Sequence, residues 1–152
     1  MIRAENQFHL GIVSDDFEAT VAELSEAFGY RWGPQVGGSI EVTTPAGATV
    51  VDLACTYSVT VPRIEIVRSI PGTLWEPSGG GIHHLGYWSD DVAADAATLL
   101  DNGYVSEVTR DLPNGLPQFA FLRGPSGIRI ELVNRLTEPG LSGCWATERN
   151  AS

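Results

Sequence analysis

Lysine is absent from this chain of 152 residues: all nine basic side chains are arginine, against nineteen acidic ones, and the net charge is −10. That excludes Schiff-base chemistry and a phosphate-loop lysine within the chain. Nucleic acid and anionic membranes are bound through clustered lysine and arginine, so neither is an expected partner. Cysteine is scarce as well, and Cys55 and Cys144 do not make a disulfide framework. No apolar run approaches the length of a membrane span, and the opening Met1-Ile2-Arg3-Ala4-Glu5-Asn6 lacks a signal-peptide core. Together these absences lead us to expect a cytoplasmic protein. Its length suits one compact unit with a real hydrophobic core.

What is present occurs twice. Phe8-His9-Leu10-Gly11-Ile12-Val13-Ser14-Asp15-Asp16 returns as His83-His84-Leu85-Gly86-Tyr87-Trp88-Ser89-Asp90-Asp91, at a constant offset of 75 residues from His9 to His84 and from Asp16 to Asp91. Arg63-Ile64-Glu65-Ile66-Val67 likewise returns as Arg129-Ile130-Glu131-Leu132-Val133. Internal repeats set the architecture. Each copy opens on a strand carrying a histidine and closes on a strand carrying a glutamate.

Within the first copy, the spacing predicts a strand over residues 7–13, then a helix capped by Asp15 with Glu18 reaching back. Phe17, Val21, Leu24 and Phe28 follow at helical spacing, and Gly29 is the expected stop. Strands are expected over 30–32, 39–44, 49–58 and 62–68, with Gly37-Gly38 as a bulge or bend. The Gly/Pro-rich stretch from Ser69 to Gly81 breaks the pattern. The second copy repeats the order: a strand over 82–88, a helix from Ser89-Asp90-Asp91 to Gly103, and strands over 104–109, 118–123 and 128–133. From Leu136 onward no periodicity is visible; a tail is expected, with Trp145 pinning part of it. The expected division is a first β-α-β-β-β module at 7–70, a connector at 71–81, a second module at 82–135 and a tail at 136–152.

Side chains alternate along a strand, so His9 shares a face with Gly11 and His84 with Gly86, and glycine leaves room beside each imidazole. Glu65 and Glu131 each stand between apolar neighbours in strands that read as central. A carboxylate there is costly to bury unless it is paired with an arginine, such as Arg63, Arg68, Arg123 or Arg129, or bound to a metal. Recurrence at matched places favours the metal, because all four residues converge if the copies pack with pseudo-twofold symmetry. Two imidazoles and two carboxylates suit Zn, Ni, Co, Fe or Mn, with positions left for water or substrate. His83 adjoins His84 but by alternation faces the other side of the strand; it is the alternative ligand. Trp32, Trp75, Trp88, Tyr87, Phe119 and Phe121 are aromatics for core and sheet packing, with Trp75 the one suited to a rim or lid.

Paired β-α-β-β-β copies with His on each first strand and Glu on each last resemble the vicinal oxygen chelate superfamily. That superfamily includes glyoxalase I, methylmalonyl-CoA epimerase, extradiol dioxygenases and bleomycin- or fosfomycin-type resistance proteins. The resemblance covers about residues 7–135 and implies an α+β fold in which the two modules form a cupped, mostly antiparallel sheet. It implies one divalent metal ion held by His9, Glu65, His84 and Glu131. The segment Gly80-Gly81-Ile82-His83-His84-Leu85-Gly86 is similar to the second-module entry of the epimerases. Glu65 stands where epimerases usually carry Gln, as in the glyoxalase I pattern, while Gly11 and Ile12 stand where glyoxalase I commonly places an Arg. By the same resemblance Glu131 is the first candidate for a catalytic base and Glu65 the second. The activity implied is that of an isomerase, epimerase or lyase acting beside a metal-bound carbonyl of a small molecule. The other readings are a resistance-type protein that sequesters a drug or natural product, and a two-module scaffold kept for interaction. Whether the modules face each other within one chain or across a homodimer is left open.

Overall fold

The two Ser-Asp-Asp triplets are where strands hand over to helices. The computed structural model describes residues 1–149. Strand β1 (Gln7–Ser14) leads into helix α1 (Phe17–Phe28), and strand β5 (His84–Ser89) into helix α2 (Val92–Asp101). Asp16 caps the first helix by accepting the Ala19 N–H at 3.1 Å, and Asp91 caps the second through Ala94 at 3.0 Å. The expected Asp15 cap is thus displaced by one residue. Gly29 ends α1 with φ 72°, a left-handed conformation that glycine adopts without strain. After α1 come β2 (Val36–Thr44), β3 (Gly47–Tyr57) and β4 (Ile64–Arg68); after α2 come β6 (Val105–Asp111), β7 (Pro117–Arg123) and β8 (Arg129–Asn134).

The eight strands run in the order β1-β4-β3-β2-β6-β7-β8-β5, and β5 returns to β1 to close the ring. β1–β4 and β5–β8 are parallel, and the remaining pairs are antiparallel. On the side away from β1 and β5 the cup is shut by a single pairing, Thr43 with Thr109. The result is a mixed α+β fold of two β-α-β-β-β modules forming one strongly curved sheet. Alternation along β7 shows how it is packed. Phe119 and Phe121 point inward to join Val13, Val42, Val51, Cys55, Tyr57, Val67, Trp75 and Val108, whereas Ala120 and Leu122 point outward against Val92 of α2. α1 covers the first module in the same way, with Phe17 and Val21 against Ile66. No helix among the described residues is long and apolar enough to cross a membrane.

Three expectations need correction. Residues 30–32 do not form a strand. Trp32 makes one isolated bridge to Ser58, and its indole Nε1 donates to Ser25 on α1 at 2.9 Å, so it packs under the helix instead of entering a ladder. Gly37 and Gly38 are not a bulge; they pair in register with Ala54 and Leu53 inside β2–β3. The tail is also structured: helix α3 (Glu138–Ala146) forms there with Pro139 in its first turn, where a missing N–H costs nothing. Leu141, Cys144 and Trp145, at i, i+3 and i+4, turn its short apolar face to the core. Trp145 stands edge-on to Tyr57 at 5.3 Å and under the Arg63 guanidinium at 4.3 Å.

Candidate metal centre

Two rows of three residues cross the sheet where the modules meet. In one, β5, β1 and β4 bring His84, Gly11 and Glu65 side by side; in the other, β1, β5 and β8 bring His9, Gly86 and Glu131 side by side. Each glycine is the middle of its row. A Cβ built on Gly11 falls within 3.0 Å of three His84 ring atoms, and one on Gly86 within 3.0 Å of three His9 ring atoms. The room that glycine leaves is therefore used across the strands, not along the strand as alternation suggested. With no side chain between them, the histidine and glutamate of each row lean together over the glycine. His84 Nε2 lies 3.1 Å from Glu65 Oε2, and His9 Nε2 lies 3.2 Å from Glu131 Oε2.

The rows also meet each other. His9 Nε2 is 3.0 Å from His84 Nε2 and 3.4 Å from Glu65 Oε2, and His84 Nε2 is 3.5 Å from Glu131 Oε2. One ligand atom from each of the four residues falls within 4.8 Å of all the others, inside one chain. All four residues are between 1% and 9% exposed. The arginine partners that would have given a salt-bridge explanation are engaged elsewhere. Arg123 and Arg129 both bind Glu107, Arg63 stacks on Trp145, and Arg68 lies over the Phe17 ring.

Two carboxylates facing two imidazoles in a dry interior need a positive charge. In the cation-free cluster a proton supplies it. Burial opposes the charged form of His9, but Glu131 and Glu65 outweigh it and raise the His9 pKa to about 9. Burial likewise opposes the charge on Glu65, yet the adjoining His84 and His9 rings hold its carboxyl well below the usual range. The same place also has the geometry for a divalent cation. With donors about 2.1 Å from the ion, neighbouring donors stand about 3.0 Å apart in an octahedron and about 3.4 Å apart in a tetrahedron. The five separations given above span that interval. The set of two nitrogens and two oxygens is one that borderline divalent ions accept.

His83 stands outside the four-residue cluster, yet it does not face away. β5 begins at His84, so strand alternation does not extend back to His83, whose ring turns toward its neighbour. Its Nε2 lies 2.7 Å from the Leu74 carbonyl oxygen and its Nδ1 lies 2.9 Å from His84 Nδ1. A carbonyl only accepts, so His83 donates from Nε2. Burial foremost lowers its pKa to about 4, so the ring is neutral and Nδ1 is left as an acceptor. His84 therefore donates from Nδ1 and turns the lone pair of Nε2 to the centre, as a metal ligand must. His9 has no such support: its Nδ1 is buried with no partner among the described residues.

Aromatic rings enclose the cluster. Tyr57 stands edge-on to His9 at 5.6 Å, Phe121 edge-on to His84 at 5.1 Å, and Trp75 edge-on to Phe121 at 5.8 Å. Trp75 is a buried core residue of the connector. Burial and the Glu65 charge hold the Cys55 thiol and the Tyr57 hydroxyl protonated. Two cavities approach the cluster: one of about 850 Å³ is bounded by His83, His84 and the connector, and one of about 700 Å³ by His9, Arg63 and Trp145. Sequence reasoning missed Tyr57, Cys55 and the role of His83. The first two sit in β3, and their counterparts in β7, Phe121 and Phe119, are of different residue types, so the repeat did not mark them.

Comparison with known proteins agrees with this architecture. The model of the glyoxalase/bleomycin resistance protein/dioxygenase superfamily matches residues 8–121. An uncharacterised protein of Bacillus subtilis (strain 168), YwbC, is 28% identical over 131 residues, covering 84% of this chain and 95% of its own. Among solved structures, a variant of Streptomyces coelicolor methylmalonyl-CoA epimerase in complex with 2-nitronate-propionyl-CoA superposes with a TM-score of 0.56 at 22% identity, over 85% of this chain and 96% of that one. A 4-hydroxymandelate synthase variant from Streptomyces coelicolor gives a TM-score of 0.57 at 18% identity, over 90% of this chain and 40% of that one. These structural likenesses bear on the fold; the family match spans most of the chain. The chain belongs to the glyoxalase/bleomycin resistance protein/dioxygenase superfamily.

Proposed function

We propose that the protein is a metal-dependent isomerase, epimerase or lyase that moves a proton beside the carbonyl group of a small molecule. The observation that carries this reading is the meeting of His9, Glu65, His84 and Glu131 over two glycines, with neither carboxylate paired to an arginine among the described residues. A divalent cation held by these four residues would supply a Lewis acid for the carbonyl oxygen, making the neighbouring C–H acidic.

The chain's own groups divide the remaining work. His84, fixed by His83, and His9 would hold the cation through Nε2. Glu65 is flanked by the Cys55 thiol and the Tyr57 hydroxyl, and its carboxyl is held well below its ordinary range, so it serves as the constant anionic ligand. Glu131 stands opposite the Phe121 ring and Gly86, neither of which offers a side-chain hydrogen bond. Its carboxylate is the group we assign to take the proton and return it, with Glu65 as the second candidate. The surrounding rings of Tyr57, Phe121 and Trp75 exclude bulk water, which strengthens each of these interactions.

The test is hydrogen exchange in D₂O at the carbon beside the carbonyl, followed by NMR across 2-oxo acids and thioesters with cation-loaded protein. Exchange is expected to need the cation and to fall by about 10²–10⁴-fold in Glu131→Gln, while the cation content falls only partly. Glu65→Gln is expected to be milder. Undiminished exchange in Glu131→Gln removes that residue as the base. Failure to exchange any candidate by a cation-loaded protein favours instead a protein that binds a drug or natural product without chemistry.

A further inference from the structure

The repeat makes two ends of the cup equivalent, yet the chain treats them differently. Arg63 and Arg129 each stand two residues before their glutamate, and Arg129, within β8, shares the inward face of Glu131. At the first end the Arg63 guanidinium is taken up: Nη1 donates to the Ser58 carbonyl at 2.5 Å, and the Trp145 ring of α3 covers its face at 4.3 Å. At the second end no helix intervenes. There Arg129 lies opposite Arg123 in the β7–β8 ladder, and both line the cavity of about 850 Å³ that reaches His83 and His84.

Two like charges side by side need an anion between them, and a bulge supplies one. The register of β6 shifts between Ser106 and Val108, which leaves Glu107 out of the ladder and aims it at the pair. Arg129 Nε lies 2.5 Å from Glu107 Oε2, and Nη2 of Arg129 and Nη2 of Arg123 lie 3.3 Å and 3.0 Å from Oε1. One carboxylate thus serves two guanidiniums. Nε and Nη1 of Arg123 and Nη1 of Arg129 have no acceptor among the described residues. Glu76, at the exposed rim of the same cavity, is tied to the connector through the Gly72 N–H at 2.9 Å.

We propose that Arg123 and Arg129 form an anion subsite, and that the substrate enters by this end with a carboxylate or phosphate docked there. This rests on the proposed carbonyl chemistry and narrows it to anionic carbonyl compounds. Arg129 and Glu131 are two residues apart on one face, about 6.6 Å, so a short chain of atoms joins the docked anion to the group at His84 and Glu131. The planar guanidinium fork suits such oxyanions, and in a chain of net charge −10 it selects against uncharged carbonyl compounds only through these local groups.

The experiment is calorimetric binding of succinate and of butyrate to the full chain loaded with Co(II), in the wild type, Arg123→Gln and Glu107→Gln. Succinate is expected to bind at least about tenfold more tightly than butyrate, the scale of one charge-assisted hydrogen bond. That advantage should shrink below about threefold in Arg123→Gln. It should grow by about threefold or more in Glu107→Gln, because removing the internal carboxylate frees both guanidiniums; a merely structural triad would weaken binding in both variants. 3-Phosphonopropionate in place of succinate separates a phosphate-type anion, which would bind more tightly, from a carboxylate. An equal preference for succinate and butyrate, a preference untouched by Arg123→Gln, or a loss in Glu107→Gln overturns the subsite. If Co(II) loads and butyrate binds, such a result leaves the metal centre standing. If Co(II) does not load, the underlying reading fails and the subsite with it.

Discussion

His84 and Glu65 meet over Gly11, and the twofold repeat of that relationship, His9 and Glu131 over Gly86, is what makes the centre. The two strands between which this happens run antiparallel, with His9 paired to Gly86 and Gly11 to His84, so each module lends its glycine to the other module's histidine. Gly11→Ala and Gly86→Ala should each displace one imidazole. Overpacking of this kind costs about 1–3 kcal/mol, and loss of one well-placed ligand should lower cation affinity at least about tenfold. Gly79→Ala, where an added Cβ meets nothing within 4 Å, is the control. Thermal unfolding and cation titration of the three variants check this; an unperturbed Gly11→Ala would mean the rings are not where the register puts them.

Much of this arrangement was legible in the sequence because it is repeated. One offset paired His9 with His84 and set a Ser-Asp-Asp triplet at the start of each helix, although the first cap was expected at Asp15 and is Asp16, and the apolar neighbours of Glu65 and Glu131 marked both carboxylates as buried. What was hidden lies off the repeat. His83 has Phe8 as its counterpart, so nothing in the first copy hinted at its bond to His84. α3 offers only a short stripe, Leu141, Cys144 and Trp145, among small and polar residues, and its packing on the core and on Arg63 reveals why it is ordered. The bulge that aims Glu107 is a register shift between two strands, which no single strand's pattern encodes.

His83→Ala tests the hydrogen-bonded chain from the Leu74 carbonyl to His84. Without an acceptor at Nδ1, His84 is free to place its proton on Nε2, the atom that binds the cation in the proposed centre. Affinity should fall by about 10–100-fold with little change in thermal stability of the cation-free protein. Long-range ¹H–¹⁵N spectra should show the proton on His84 Nδ1 in the wild type and redistributed in the variant. Unchanged spectra and affinity would reduce His83 to packing.

In the proposed centre, proton and cation compete for the same place. A His9 pKa raised from 6.5 to about 9 means the charged ring stabilises the cation-free fold fully below about pH 6.5, and that this stabilisation is lost as the pH rises through about 9. The cation has to displace that proton. Its affinity should therefore climb by about tenfold per pH unit up to about pH 9 and level off above. Titrations at a series of pH values, with proton release followed through buffer ionisation heats, check the slope; a flat profile between pH 6.5 and 9 would contradict it.

The helix at the far end makes a separate prediction. Trp145→Ala should uncover Arg63 and enlarge the cavity of about 700 Å³ beside His9, without moving the four donors. Cation affinity should stay within about threefold of the wild type, and the indole's removal should be felt as a loss of stability of about 3 kcal/mol or less, since Trp145 is only partly buried. Loss of the cation from this variant would show that α3 supports the centre itself.

Elemental analysis of the purified full chain, before and after chelator, addresses the central claim most directly. The wild type from metal-replete cells should carry close to one divalent ion per chain, lose it to chelator and regain it on titration. His9→Ala and His84→Ala should each lower the affinity by at least about tenfold. A wild-type chain that holds no ion and takes none up would contradict the account, because two buried carboxylates and two histidines would then be held together by protons alone.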